Sequence, residues 1–258
     1  MLQYINADNI CSSDVAAVFT TRNGGVSGAA AGQEHFSSLN LQLSAGGDDD
    51  ANIVENYRII TSSLGFRAED VVSLDQKHTD RIIAVDGPIS EEADALVTNK
   101  KGLLLSVRTA DCVPILLYDR VNSAVAAIHS GWRGSYKQIG IKTVNRMTEL
   151  FGTAPSDIQA AIGPAIGVCC YEVDTDFHER FINEHGKRVE VFFRCEPTGK
   201  TYCNLSAMNK AFLMEAGIPE MNIDVSQLCT MCNPKLFYSH RRSGFKRGSM
   251  AAFIGMYI

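Results

Sequence analysis

Short apolar, β-branched runs dominate the first half of the chain, and helical periodicity is interspersed through the second. Val-Ala-Ala-Val-Phe-Thr at 15–20 reads as a strand. It runs into the glycine-rich turn Thr-Arg-Asn-Gly-Gly-Val-Ser (21–27) and a small, polar loop at 29–38. Asp48 to Asp50 can cap a helix over about 51–64, since carboxylates favour the positive end of a helix. Strand-like segments at 71–74 and 82–85 flank His78, and 95–98 and 103–107 read as buried strands. A hairpin is expected from 113–118 and 124–129, turning at 119–123. A helix follows from near Gly134 to 151–152, then a strand at 158–162, a helix at 175–184 and a strand at 189–193. Gly217 stops a helix over 205–216. An aromatic strand, Leu-Phe-Tyr-Ser (236–239), and a last strand at 250–258 complete the pattern. There is no regular strand–helix alternation, no internal repeat and no linker. The simplest architecture is one α+β domain over residues 1–258.

At 258 residues, 45% apolar and 21% charged, the composition supports a substantial core. The net charge of -5 argues against nonspecific nucleic-acid binding, which needs an excess of basic residues to neutralise phosphates. No apolar run approaches membrane-spanning length, and the opening Met-Leu-Gln-Tyr-Ile-Asn-Ala-Asp has no basic region followed by an apolar stretch. These features predict a cytoplasmic protein. Its eight cysteines are then expected as free thiols, metal ligands or nucleophiles rather than disulfides. Cys169 and Cys170, adjacent after a Gly-Pro turn, read as packing. Cys229-x-x-Cys232 reads as two buried thiols, since a structural zinc site needs a second ligand pair and none stands nearby in sequence. Cys11, Cys195 and Cys203 carry no signal.

Three residues carry the chemical interest: His78, Cys112 and His129, each at a predicted strand end or tight turn. Two imidazoles and a thiolate can bind tetrahedral zinc and leave its fourth position open, as catalytic sites do. A lone His or Cys beside an apolar strand is also a common core residue. After His129, Ser-Gly-Trp-Arg-Gly-Ser turns a strand into a helix, whose free N–H groups can receive an anion beside Arg133. On the other reading, Gly131 and Gly134 only permit a tight turn and Arg133 is solvated. Asp111 and Cys112 should face opposite ways in extended chain. Asp111 would then orient a ligand or satisfy local donors. Thr79 and Asp80 follow His78 and can hold an imidazole tautomer. Arg22 before Gly24-Gly25, and His240-Arg241-Arg242 after the aromatic strand, are either solvated turns or groups that close over an anionic or ribose-bearing substrate.

Several segments occur in one order: Thr-Arg-Asn-Gly-Gly-Val-Ser, Phe-Ser-Ser-Leu-Asn-Leu (36–41), Gln-x-His (76–78), Ala-Asp-Cys-Val-Pro-Ile (110–115), His-Ser-Gly-Trp-Arg-Gly (129–134), Ala-Ile-Gly-Pro-Ala-Ile-Gly-x-Cys-Cys-Tyr (161–171), Cys-Thr-x-Cys (229–232) and Phe-Tyr-Ser-His-Arg-Arg (237–242). Together they resemble the YfiH/YlmD-type laccase-domain family, described as zinc-dependent purine nucleoside phosphorylases. The resemblance spans almost the whole chain. It implies a layered α/β/β/α sandwich with mixed sheets, related to a toxin domain with a Cys–His pair. It implies His78, Cys112 and His129 as zinc ligands, and phosphorolysis of adenosine, inosine, guanosine and methylthioadenosine with adenosine deamination as a second activity. Phosphate and a purine nucleoside are then the expected partners of a monomer or homodimer. Arg133 joins the catalytic set, with Arg22, Asn40, Asp111, His240 and Arg242 as substrate-binding candidates. One departure is visible: Lys77-His78-Thr79-Asp80 replaces the more usual Val-His-Gly. A multicopper cluster is not expected from six histidines with no H-x-H pair, although copper can replace zinc at a His/Cys/His site. Two other functions fit parts of the pattern: a Cys–His hydrolase or amidase using Cys112 and His129, with cell-wall precursor editing as a variant, and a non-enzymatic partner-binding module.

Overall fold

In the computed structural model, which describes residues 1–42 and 47–258, the apolar runs pair into two large sheets. The strands are β1 (Tyr4–Asn6), β2 (Val15–Thr20), β3 (Val71–Ser73), β4 (Ile82–Ala84), β5 (Ala95–Thr98), β6 (Leu104–Thr109), β7 (Val113–Asp119), β8 (Ala124–Ser130), β9 (Ile158–Ile162), β10 (Glu172–Val173), β11 (Phe193–Cys195), β12 (Thr201–Cys203), β13 (Ile223–Val225) and β14 (Met250–Met256). The helices are α1 (Asp50–Ser63), α2 (Trp132–Tyr136), α3 (Ile139–Phe151), α4 (Thr175–His185), α5 (Leu205–Glu215) and α6 (His240–Ser243). The first sheet runs β1-β2-β14-β6-β3 and the second β13-β9-β7-β8-β5-β4; β10, β12 and β11 make a small third sheet. Both large sheets are mixed: β3 is parallel to β6, and β4 to β5, within otherwise mostly antiparallel ladders.

Side-chain alternation sets the layers. In β14, Ala252 and Ile254 face the second sheet, while Ala251 and Phe253 face α1. In β7, Leu116 and Tyr118 meet the first sheet, while Val113, Ile115 and Leu117 pack under α3, α4 and α5. Strands covered on both faces read as continuous apolar runs, which is why these were visible in the sequence. Ile53, Tyr57 and Ile60 form the inner stripe of α1, and Asp49 caps it by accepting the Ala51 N–H. The order is therefore helix, sheet, sheet, helices, the α/β/β/α sandwich that the resemblance implies. Among the described residues no helix is long and apolar enough to cross a membrane.

The structure corrects three expectations. The helix expected from Gly134 is two helices, α2 and α3, divided where Gln138 takes a left-handed conformation with φ of 56°. The strand expected at 189–193 is a 3-10 helix, Lys187–Phe192, with β11 only beginning at Phe193. A strand would put Val189 and Val191 on one face. Instead Val189 is buried and Val191 is 79% exposed, while Val189 and Phe192, three apart, both meet the core. Leu-Phe-Tyr-Ser at 236–239 joins no sheet. The Tyr238 N–H goes to Met250 Sδ and its hydroxyl to the Phe36 carbonyl, so these aromatics plug a small separate core.

Leu116, wholly buried between the sheets, should lose about 2–5 kcal/mol of stability on Leu116→Ala. Urea unfolding followed by circular dichroism measures this, and a midpoint equal to wild type would contradict a packed inter-sheet core.

Candidate metal centre

Two of the three candidate ligands stand where the chain crosses between sheets. His78 lies between β3 in the first sheet and β4 in the second, and Cys112 lies between β6 and β7. His129 is the penultimate residue of β8. The fold brings their ligand atoms within 4.8 Å of one another, and the two imidazole rings are 4.8 Å apart, edge to face. His129 is buried, Cys112 half-buried and His78 exposed, so the group opens on one side only.

Asp94, just before β5, organises the group. Its side chain is fully buried. Oδ1 accepts the His129 Nδ1–H at 2.7 Å and the His78 N–H at 3.1 Å. Oδ2 accepts the Thr79 N–H at 2.5 Å, the Thr79 hydroxyl at 2.7 Å and the Lys77 N–H at 3.3 Å. One carboxylate thus selects the His129 tautomer that leaves Nε2 free as a ligand, and clamps the backbone that presents His78. The clamp explains how His78 holds a φ of 58°, unusual for a residue with a Cβ. Burial alone would raise the Asp94 pKa, but the bonds from His129 and Thr79 outweigh it and hold the group at about 2. Burial likewise pushes the Cys112 thiol up, and His129 and then His78 more than offset it, so its pKa is lowered. Burial works against a charged His129, while Cys112 and Asp94 together raise its pKa. Asp80, a sequence candidate for holding a tautomer, instead pairs with Lys137 and Lys142.

Gly131 is part of the same geometry. A Cβ there would stand 2.6 Å from His78 Nδ1 and 3.1 Å from Cys112 Sγ. The glycine serves close approach as well as the turn. Asp111 is not in the extended chain expected from the sequence but in a turn with φ of 94°, and its carboxylate satisfies nearby donors. It accepts the Thr230 hydroxyl at 2.5 Å, the Ser239 hydroxyl at 3.0 Å and the Arg241 N–H at 2.7 Å.

Two clefts meet at His78 and Cys112. One, of about 350 Å³, is polar and includes Gln76, Lys77, Arg108 and Arg247. The other, of about 480 Å³, is lined by Trp132, Tyr171, Leu205 and Phe245 with Arg133, His240 and Arg241 at its edges. Arg247 lines both. Arg108 Nη1 and Arg247 Nε are buried without a hydrogen-bond partner among the described residues. Arg108, Arg247 and Asp94 escaped the sequence reading. Asp94 left one faint signal, a lone acid embedded in the apolar run Ala-Asp-Ala-Leu-Val at 93–97.

The remaining candidates divide. Arg133 and His240 line the second cleft, and the Arg133 guanidinium stacks 4.4 Å over Trp132. The helix behind Arg133 is only Trp132–Tyr136, so the expected anion cradle reduces to one short turn. Arg22, Asn40 and Arg242 line neither cleft. Arg22 donates to the Ser37 and Pro234 carbonyls and lies 4.5 Å over the Tyr238 ring. Arg242 donates to the carbonyls of Thr230, Met231 and Phe237. Asn40 accepts the N–H groups of Gln42 and Ser249, which edge the polar cleft. These three fasten the walls from behind, because backbone carbonyls and amides away from sheets need partners.

Residues 16–257 match the family model described as multi-copper polyphenol oxidoreductase laccase. The chain is 38% identical to purine nucleoside phosphorylase YlmD of Bacillus subtilis, over 99% of this chain and 94% of that protein. It is 34% identical to adenosine deaminase RL5 of an unknown prokaryotic organism, over 100% and 99% of the two chains. The crystal structure of the hypothetical protein YfiH of Bacillus licheniformis superposes with a TM-score of 0.86 at 37% identity, covering 93% of this chain and 92% of that one.

Asp94→Asn keeps the shape and removes the charge that orients His129. We expect Zn²⁺ affinity to fall about 10- to 100-fold, read by titration against a competing chelator. An unchanged affinity would show that the clamp does not tune the ligands.

Proposed function

The chain belongs to the multi-copper polyphenol oxidoreductase laccase family, with the YlmD- and YfiH-type proteins, and on that premise we propose that it is a zinc-dependent purine nucleoside phosphorylase. Its substrates are adenosine, inosine, guanosine and methylthioadenosine, with adenosine deamination as a second activity. The observation that carries this reading is that two arginines, Arg108 and Arg247, line the polar cleft beside the His/Cys/His group. Two guanidinium groups lining one polar cleft are suited to an anion such as phosphate.

The donor set fits the metal. Two imidazoles and one thiolate converge on one point, a carboxylate fixes one imidazole, and the clefts leave one side open. The same donors accept Cu²⁺. Among the described residues the groups able to hold a metal are this trio and a cluster of four cysteines. His35, His178, His185 and His240 join neither, which favours a single ion at the centre over a multicopper array. Zn²⁺ held there supplies a Lewis acid beside the clefts.

The chain's own residues supply the rest. Arg108 and Arg247 hold the phosphate, and Trp132 and Tyr171 offer flat apolar surfaces to the purine. A phosphate oxygen attacks ribose C1′. The C1′–N9 bond breaks, its electron pair leaves on the purine, and the purine takes up the proton that hydrogen phosphate gives up as its oxygen bonds to C1′. The products are the free base and ribose 1-phosphate. Holding both reactants in adjoining clefts lowers the entropic part of the barrier.

One observation favours a second reading. Cys112, His129 and Asp94 form a continuous relay with a lowered thiol pKa, the arrangement of a cysteine hydrolase. The two readings separate on metal dependence.

His129→Ala should lose both bound zinc and phosphate-dependent hypoxanthine release from inosine. Phosphorolysis persisting in metal-free protein would overturn the proposal, and substrate-protected alkylation of Cys112 in that protein would favour the hydrolase. Arg247→Met should raise KM for phosphate about 10- to 100-fold, the value of one charged hydrogen bond, with a much smaller change in KM for inosine. Steady-state kinetics with each substrate varied in turn checks this.

A further inference from the structure

Four cysteines outside the centre just described lie together. The loop after β9 runs alongside the segment that begins at Cys229: Ala165 and Cys229 form an isolated parallel bridge, and the Thr230 N–H donates to the Ala165 carbonyl at 3.0 Å. This pairing brings Cys169 and Cys170 against Cys229 and Cys232. Local spacing shows no second ligand pair for the C-x-x-C and predicts packing for all four cysteines; the fold corrects this, since the partner pair comes from about sixty residues away.

Packing does not explain the cluster. Cys169 and Cys232 are exposed and Cys170 is half-buried; only Cys229 is buried. Thiols gathered for apolar packing belong in the core. All four sulfurs lie within 4.8 Å of one another. Cys232 Sγ is 3.3 Å from Cys170 Sγ and 3.6 Å from Cys169 Sγ. Zinc–sulfur bonds of about 2.3 Å place the sulfurs of a tetrahedron about 3.8 Å apart, so the group is near the size of one four-coordinate ion. An iron–sulfur cluster distributes its cysteines over separate irons and needs a wider span.

Two further features fit coordination. The Gly167 N–H points at Cys229 Sγ, 3.2 Å away, as a donor that stabilises a thiolate. A Cβ on Gly167 would stand 3.2 Å from Cys169 Sγ and 3.5 Å from Cys229 Sγ, so this part of the loop runs close against the sulfurs. Four thiolates on a divalent ion carry a net double negative charge. The guanidinium groups of Arg194, Arg241 and Arg242 donate to the carbonyls of Val168, Cys170 and Thr230, bringing positive charge to the segments that bear the sulfurs.

We propose that Cys169, Cys170, Cys229 and Cys232 form a second metal site, a closed structural Zn²⁺ site of four thiolates. With every position filled by protein, such a site stabilises structure and offers no place for substrate. Its place in the fold says what it fastens. The Ile166 N–H donates to the Asp111 carbonyl at 2.9 Å, and Thr230 holds the Asp111 side chain. The cysteines tie together the two segments that brace the turn before Cys112.

The test uses full-length protein purified under reducing conditions without added metal. Metal analysis by mass spectrometry should find about two zinc ions per chain. The Cys170→Ser/Cys232→Ser double variant should keep one, and His129→Ala should keep the other. Alkylation of the native wild type, mapped by peptide mass spectrometry, does not depend on any variant folding. Exposed Cys169 and Cys232 should resist iodoacetamide until a chelator is added, and then react as zinc is released. Free alkylation of both in the untreated, metal-bearing protein would overturn the proposal, as would a Cys170–Cys232 disulfide in place of metal. Zinc retained by His129→Ala and released with Cys169 and Cys232 alkylation would support this site even if phosphorolysis were never detected, so the two proposals fail separately.

Discussion

A single buried carboxylate sets the geometry of the centre. Asp94 is sealed from solvent, and every bond its carboxylate makes serves the His/Cys/His group: one to the imidazole of His129, the others to the backbone and hydroxyl around His78. Burying a charge is tolerable only when its hydrogen bonds are complete. Here the donors that complete them are the groups that must be aimed. The carboxylate sits at the head of β5, the strand that pairs with both β4 and β8. Strand pairing in the second sheet is thereby converted into ligand positions.

The sandwich provides the remaining constraint. Chain crossings between packed sheets are short and have little freedom, because both ends are fixed in ladders. His78 and Cys112 occupy two such crossings, and Gly131 closes the approach from the end of β8. The left-handed conformations of His78 and Asp111, with φ of 58° and 94°, mark where these turns are tightest. Around this frame the cleft walls come from elsewhere: α2 and its Trp132, the loop carrying Tyr171, and the run from α6 to β14 that carries Arg247.

Much of the frame was legible in the sequence. Strands covered on both faces, such as β2, β5, β7 and β9, announce themselves as apolar runs bounded by turns. The His/Cys/His trio was legible by residue type, and its assignment rested on the ordered motifs. The short strands β10 to β13 were not visible, since two or three residues carry no periodicity. Asp94, Arg108 and Arg247 were missed because their meaning lies in partners 15 to 35 residues away or in partners they lack. Val189 and Val191 looked like alternating strand residues, and only the three-residue spacing of contacts made by Val189 and Phe192 shows otherwise. The four cysteines failed for a related reason: a ligand pair formed across the fold leaves no mark on local spacing.

Placing the donors on the frame and the cleft walls on excursions has a consequence for descent. Substitutions near Trp132, Tyr171 or Phe245 reshape what the clefts admit without moving a strand end, whereas a change at Asp94 or Gly131 reaches the donors at once. What the clefts admit and how the donors are held can therefore change separately, a separation with which relatives bearing the names of a phosphorylase and a deaminase are compatible.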